Sequence, residues 1–239
     1  MNTTPMLRRR IAALDWPGIE TMLDDQGWTL TPPLLTPADC NRLAALYTDD
    51  RRFRARIDMA RYRFGNGGYG YFSTPLPPLV KTLREALYAR LAPLANQWAA
   101  RLPGAATYPA HLEEYLALCA QAGQRRPTPL LLRYETGGFN CLHQDRYGDL
   151  AFPLQATGFL SQPKEAYAGG EFLLVEQRPR QQARATVLLP EQGQFLIFPS
   201  LHRPVAGKRG WYRASIRHGV STVTQGTRYT LGIIFHDAK

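Results

Sequence analysis

Five histidines supply the chain's imidazoles: His111, His143, His202, His218 and His236. His143-Gln144-Asp145 is an H-x-D motif. In an extended segment residues i and i+2 point to the same face, so an imidazole and a carboxylate there can converge on one metal ion. His111-Leu112-Glu113 has the same form but falls in a predicted helix, where an i, i+2 pair diverges by about 200° and cannot chelate. A third ligand must come from His202, His218 or His236. His218 closes a strand-like run and stands ten residues before Arg228, whereas His202 lies in a predicted turn, Pro199 to Pro204, and no strand follows His236. Asp149 is the alternative carboxylate to Asp145, and Cys141, beside the motif, reads as a small buried side chain.

A second constellation is basic and aromatic. Arg51, Arg52, Arg54, Arg56, Arg61 and Arg63 lie close together, interleaved with or followed by Phe53, Tyr62, Phe64, Tyr69 and Tyr71. Cations beside stacking rings suit single-stranded nucleic acid. The alternative for this segment is a solvated helix face leading into a glycine-rich loop. A further basic group, including Arg178, Arg180, Arg184 and Arg213, occupies connections where it could hold phosphates or an acidic peptide. Behind both lies a net charge of +10, with only four lysines among the 29 basic residues. That imbalance fits recognition of carboxylate or phosphate by a planar fork, or a coding bias.

These residues need elements to position them. At 239 residues and 44% hydrophobic the chain is globular, which excludes disorder as its main state. Apolar spacing predicts helices over Ile11 to Gly27, Ala38 to Tyr47, Leu79 to Leu102 and His111 to Ala122, with Thr36-Pro37 as a capped start. From Thr128 onward short alternating runs predict strands: Leu130 to Tyr134, Leu150 to Phe159, Glu171 to Val175, Ala185 to Leu189, Gln194 to Phe198, Tyr212 to His218 and Arg228 to Phe235. The expected class is α+β: a mainly helical region, 1–125, layered on a double-sheet jelly-roll core, 126–239. Three sparse cysteines argue against a disulfide framework, the N-terminus does not read as a signal peptide, and no apolar run is long enough for a membrane span, so the expected location is cytoplasmic.

In chain order, Thr128 to Ala238 resembles the Fe(II)- and 2-oxoglutarate-dependent dioxygenases, with a core similar to prolyl 4-hydroxylases. The likeness rests on Tyr134 and Gly137 before His143 and Asp145, on Gly169-Gly170-Glu171-Phe172, on Gly193 leading to Phe198-Pro199-Ser200, and on His218-Gly219-Val220 followed by Val223 to Gly226 and Arg228. The whole chain also looks like a narrower bacterial family described as predicted oxygenases acting on damaged nucleic acid. That likeness is carried by Ile57 to Gly65, Asn140 to Asp145 and Gly232 to Ala238.

The resemblance implies a double-stranded β-helix (cupin-like) core with His143, Asp145 and His218 as iron ligands. Two histidines and one carboxylate on one face of Fe(II) leave positions for a bidentate 2-oxo acid and dioxygen. Arg228 would hold the distal carboxylate of 2-oxoglutarate, with Thr230 on the same strand face and Tyr134 as hydrogen-bonding partners. Ascorbate is the reductant the resemblance implies. The expected reaction couples decarboxylation of 2-oxoglutarate to succinate with substrate hydroxylation. Its substrate is an alkylated base in single-stranded or damaged nucleic acid, approached by Arg61, Arg63, Tyr69, Tyr71 and Arg178, or alternatively a polypeptide side chain. A metal-free jelly-roll binding module is the competing class.

Overall fold

The structure, a computed structural model, describes residues 3–102, 104 and 106–239. Two helices, α1 (Thr3–Ala12) and α2 (Trp16–Gln26), replace the single helix predicted from Ile11. The break has a local cause: Asp15 caps α2 by accepting from the Gly18 N–H, Pro17 occupies its first turn, and Gly27 closes it at φ +82°. Helix α3 (Pro37–Ala45) opens on a reciprocal capping box between Thr36 and Asp39. The long α4 (Pro78–Arg101) buries the stripe Val80, Leu83, Leu87, Leu91, Leu94 and Trp98, and α5 (Leu112–Gln121) packs beside it. Burying one such leucine contributes about 1.5–3 kcal/mol.

The strands run β1 (Thr29–Leu30), β2 (Phe53–Asp58), β3 (Gly65–Asn66), β4 (Gly68–Phe72), β5 (Leu130–Glu135), β6 (Phe139–His143) and β7 (Leu154–Phe159). They continue as β8 (Tyr167–Gly169), β9 (Phe172–Gln177), β10 (Arg184–Leu188), β11 (Phe195–Pro199), β12 (His202–Gly207), β13 (Gly210–Val220) and β14 (Val223–Ile233). One sheet has the order β1-β11-β7-β14-β5-β4-β2, with β8 on β14; the other has β10-β9-β13-β6-β3, with β12 on β13. All the strand pairs are antiparallel. The two sheets enclose a cavity, and the helices cover the outer face of the first, which is the double-stranded β-helix arrangement. Strands from both sides of residue 125 share both sheets, and one apolar cluster joins α1–α4 to β5, β7, β11 and β14.

Strand β14 divides its side chains by parity. Leu231 and Ile233 enter the core under the helices, while Arg228, Thr230 and Gly232, and Ile234 just past the strand, face the cavity. On β7, Ala156 likewise packs under the helices and Gln155 and Thr157 face the cavity.

Three local expectations are corrected. The basic segment is not a helix face: Phe53-Arg54-Ala55-Arg56-Ile57-Asp58 alternates with period two and forms β2 against β4. Pro199 to Pro204 is not only a turn, since His202 begins β12, which buries Arg203 and Val205 and among the described residues pairs only with β13, so Pro204 sits on an edge where its missing N–H costs no ladder bond. Buried Arg203 then ties the layers together, its Nε donating to Glu176 and its Nη atoms to the Asp24 and Asp25 carbonyls at the end of α2. Cys141 is exposed, unlike buried Cys40 and Cys119. Among the described residues no helix is long and apolar enough to cross a membrane.

Candidate active site

His143 at the end of β6 and His218 on β13 stand directly opposite each other in register, with ring centroids 4.2 Å apart. Asp145 follows two residues later, with Oδ2 3.2 Å from His218 Nε2 and Oδ1 3.7 Å from His143 Nε2. One donor atom from each of the three lies within 4.8 Å of the others, a spacing that could hold one metal ion.

Neighbouring groups fix these side chains. His143 Nδ1 is 2.8 Å from the Cys141 carbonyl, which can only accept, so the proton sits on Nδ1 and the Nε2 lone pair is free. The His218 ring stacks on Phe172 at 5.7 Å and meets Phe198 edge-on at 4.9 Å. Gln144, the middle residue of the motif, points away and donates to the Leu201 and Ile216 carbonyls, pinning the segment after β6. The Tyr147 hydroxyl donates to Asp145 Oδ1 at 2.8 Å.

Electrostatics favour the metal-binding protonation states. Burial and the neighbouring His218 lower His143, so its imidazole is neutral near pH 7. Burial alone would raise Asp145, but the two imidazoles, His218 foremost, and the Tyr147 hydroxyl outweigh it and keep the carboxyl ionised.

At the other end of the cavity lies Arg228, 1% exposed. Its guanidinium is 5.5 Å from the Tyr134 ring and 5.6 Å from that of Phe159, and its Nε and Nη1 have no acceptor among the described residues. A buried cation with open donors is costly unless an anion completes it. The glycine pair at the end of β8 makes room for it: Gly170 has φ +64°, and a Cβ there would lie 2.9 Å from Arg228 Cδ. Tyr134 accepts from Asn140 Nδ2 at 3.2 Å, and buried Thr230 sits on the Arg228 face of β14.

Residues 67–238 match the Oxygenase-NA family, described as an oxygenase catalysing oxidative methylation of damaged DNA. The chain belongs to that family. Two Mycobacterium tuberculosis proteins described as uncharacterized, MT2286 and Rv2227, are each 49% identical to it over 167 residues, which span 70% of this chain and 72% of theirs. Among solved structures, a Pseudomonas putida prolyl-4-hydroxylase is similar with TM-score 0.54 at 16% identity, covering 94% of this chain and 99% of its own. A Trichoplax adhaerens prolyl hydroxylase has TM-score 0.56 at 14% identity over 96% and 91% of the two chains. A Burkholderia pseudomallei 2OG-Fe(II) oxygenase family protein has TM-score 0.53 at 15% identity over 93% and 91%. At these identities the likeness to the solved structures is one of fold.

In this Oxygenase-NA chain all six residues expected at the centre, His143, Asp145, His218, Arg228, Tyr134 and Thr230, line one cavity. The expected substrate residues divide. Arg63, Tyr69 and Tyr71 line an outer groove that also reaches His143 and Asp145. Arg61 lies outside its lining, on an exposed turn with its guanidinium 5.9 Å from the Tyr62 ring. Arg178 lines neither space and pairs with Glu176 at 2.6 Å. Arg51 and Arg52 are held by Asp49, Arg56 by Asp50, and Arg54 covers the Tyr71 ring at 4.5 Å. His236 is fully buried and structural, its Nδ1 accepting from the Phe152 N–H. Sequence reasoning missed Asn140, Tyr147, Gln155 and Arg146; adjacency to the H-x-D motif could have flagged Arg146 and Tyr147, but nothing in the sequence singles out Gln155.

Proposed function

We propose that this chain is an Fe(II)- and 2-oxoglutarate-dependent dioxygenase that hydroxylates a base in single-stranded or damaged nucleic acid. The observation that carries the reading is a single cavity with a His-Asp-His donor set at one end and a buried arginine with open donors at the other. When bound, the iron and the 2-oxo acid together activate dioxygen and release succinate and carbon dioxide. His143, Asp145 and His218 would hold the metal, Arg228 would bind the distal carboxylate, and Tyr134 and Thr230 would orient it. Phe172 and Phe198 keep water from the inner side of the ligand set.

The groove outside supports the nucleic-acid reading. Arg63 and Arg146 line it and form no ion pair among the described residues, while Phe64 and Tyr69 offer ring faces. The family description names damaged DNA; the prolyl hydroxylases among the similar folds make a polypeptide the competing occupant.

Anaerobic titration with Fe(II) and 2-oxoglutarate should produce a weak visible charge-transfer band that His143→Ala lacks. Binding of a single-stranded oligonucleotide should weaken steeply with salt, and replacing Arg63 and Arg146 with alanine should lower the log–log salt slope by about 2. With iron, 2-oxoglutarate and ascorbate present, succinate release should rise on adding alkylated oligonucleotide. No band and no succinate would refute the dioxygenase reading; a 16 Da gain on polypeptides with none on oligonucleotides would transfer the substrate to protein.

A further inference from the structure

The cavity holds a second buried donor that the motif pattern does not assign. Gln155 is 3% exposed, lines the same cavity as the His-Asp-His set and Arg228, and its Nε2 has no hydrogen-bond partner among the described residues. Its place follows from register. On β7, Gln155 pairs with Phe198 of β11, and Ala156 pairs with Ile233 of β14, so Gln155 stands one step further along, beside Ile234. Phe198 also touches the His218 ring, which puts Gln155 at the ligand end of the cavity. Arg228 faces the same cavity from further back on β14.

The register neighbours Phe198 and Ile234 offer no side-chain acceptor to the Gln155 amide. Leaving a buried donor unpaired costs stability, and a leucine of similar volume would fill the space without that cost. An amide in this position makes physical sense when a ligand accepts from it.

We propose, resting on the co-substrate reading above, that Gln155 is a recognition residue for the 2-oxo acid. Its amide N–H would donate to the 2-keto oxygen while Arg228 holds the distal carboxylate. The neutral donor and the cation would then read different ends of one molecule, and Gln155 would separate a 2-oxo diacid from a plain diacid of the same length.

The test is calorimetric and needs no turnover: titrate Mn(II)-loaded protein with 2-oxoglutarate and, separately, with glutarate, which lacks the keto group. Gln155→Leu should weaken 2-oxoglutarate about tenfold, the scale of one hydrogen bond. It should leave glutarate and Mn(II) affinity unchanged and should not lower the Tm of the ligand-free protein. Gln155→Glu, which removes the donor and adds a like charge, should weaken 2-oxoglutarate further. Arg228→Leu should weaken both diacids. Unchanged 2-oxoglutarate affinity in Gln155→Leu, or equal loss for both diacids, would overturn the assignment while leaving the co-substrate reading intact. If the wild type bound neither diacid, the co-substrate reading itself would fall.

Discussion

Arg228 and the Arg51–Arg56 group belong to the same basic surplus but occupy opposite situations. Arg51, Arg52 and Arg56 are answered by Asp49 and Asp50 on the protein's own surface, and Arg54 lies over Tyr71 with its Nε donating to the Pro127 carbonyl. Arg228 lies in the interior with two donor atoms that no group among the described residues accepts from. The density of arginines in the sequence therefore does not by itself mark open donors. What marks a binding arginine is donors left open where water is excluded, and the lone residue has that property while most of the dense group does not.

Perturbing each region should break or sharpen this contrast. Asp145→Ala should abolish ferrous binding, measured by metal analysis after gel filtration, because no other carboxylate belongs to the donor cluster among the described residues. Retained stoichiometric iron would show that the cluster is not the site. Arg228→Leu should weaken 2-oxoglutarate about a hundredfold by calorimetry. Its ligand-free Tm should match or exceed wild type, since an incompletely paired buried cation is removed; a large drop in Tm would mean that the cation stabilises the fold.

The interior also carries a pH dependence that the surface arginines lack. Burial lowers His236 from its ordinary value of 6.5 to about 4, so the fold favours its neutral form. Stability from this group is complete above pH 6.5 and is lost as pH falls towards 4, by roughly 2 kcal/mol between pH 6.5 and pH 5. Urea unfolding of metal-free protein should show that slope, and His236→Gln, which keeps an acceptor, should flatten it. At the small end, Arg51→Ala combined with Arg52→Ala should leave Tm and oligonucleotide affinity at wild-type values, because exposed ion pairs contribute little. A marked loss of oligonucleotide binding would return the dense group to the interface.

The gathering of the six residues in one cavity was legible because metal and carboxylate binding would demand particular side chains at fixed places along the strands, and His143-x-Asp145, His218 and Arg228 occur in that order. Gln155 was not legible. In Leu154-Gln155-Ala156-Thr157 a polar residue alternating with apolar ones reads as the solvated side of a strand, and only the second sheet reveals that this side faces a closed space. The strand β2 was hidden for a related reason: arginines between Phe53, Ala55 and Ile57 looked like a charged helix face, although their spacing is two.

The parity of β14 has a consequence for how such a site can diverge. Odd positions answer to the helices and even positions to the ligand, so the two sets of choices scarcely constrain each other. Substitutions at 228, 230, 232 or 234 can retune which small molecule enters without disturbing the packing behind them. Insertion of a single residue before Thr227, in contrast, would exchange the two sets at once. Drift in co-substrate preference is therefore open to point mutation along this strand, while changes of length within it are closed.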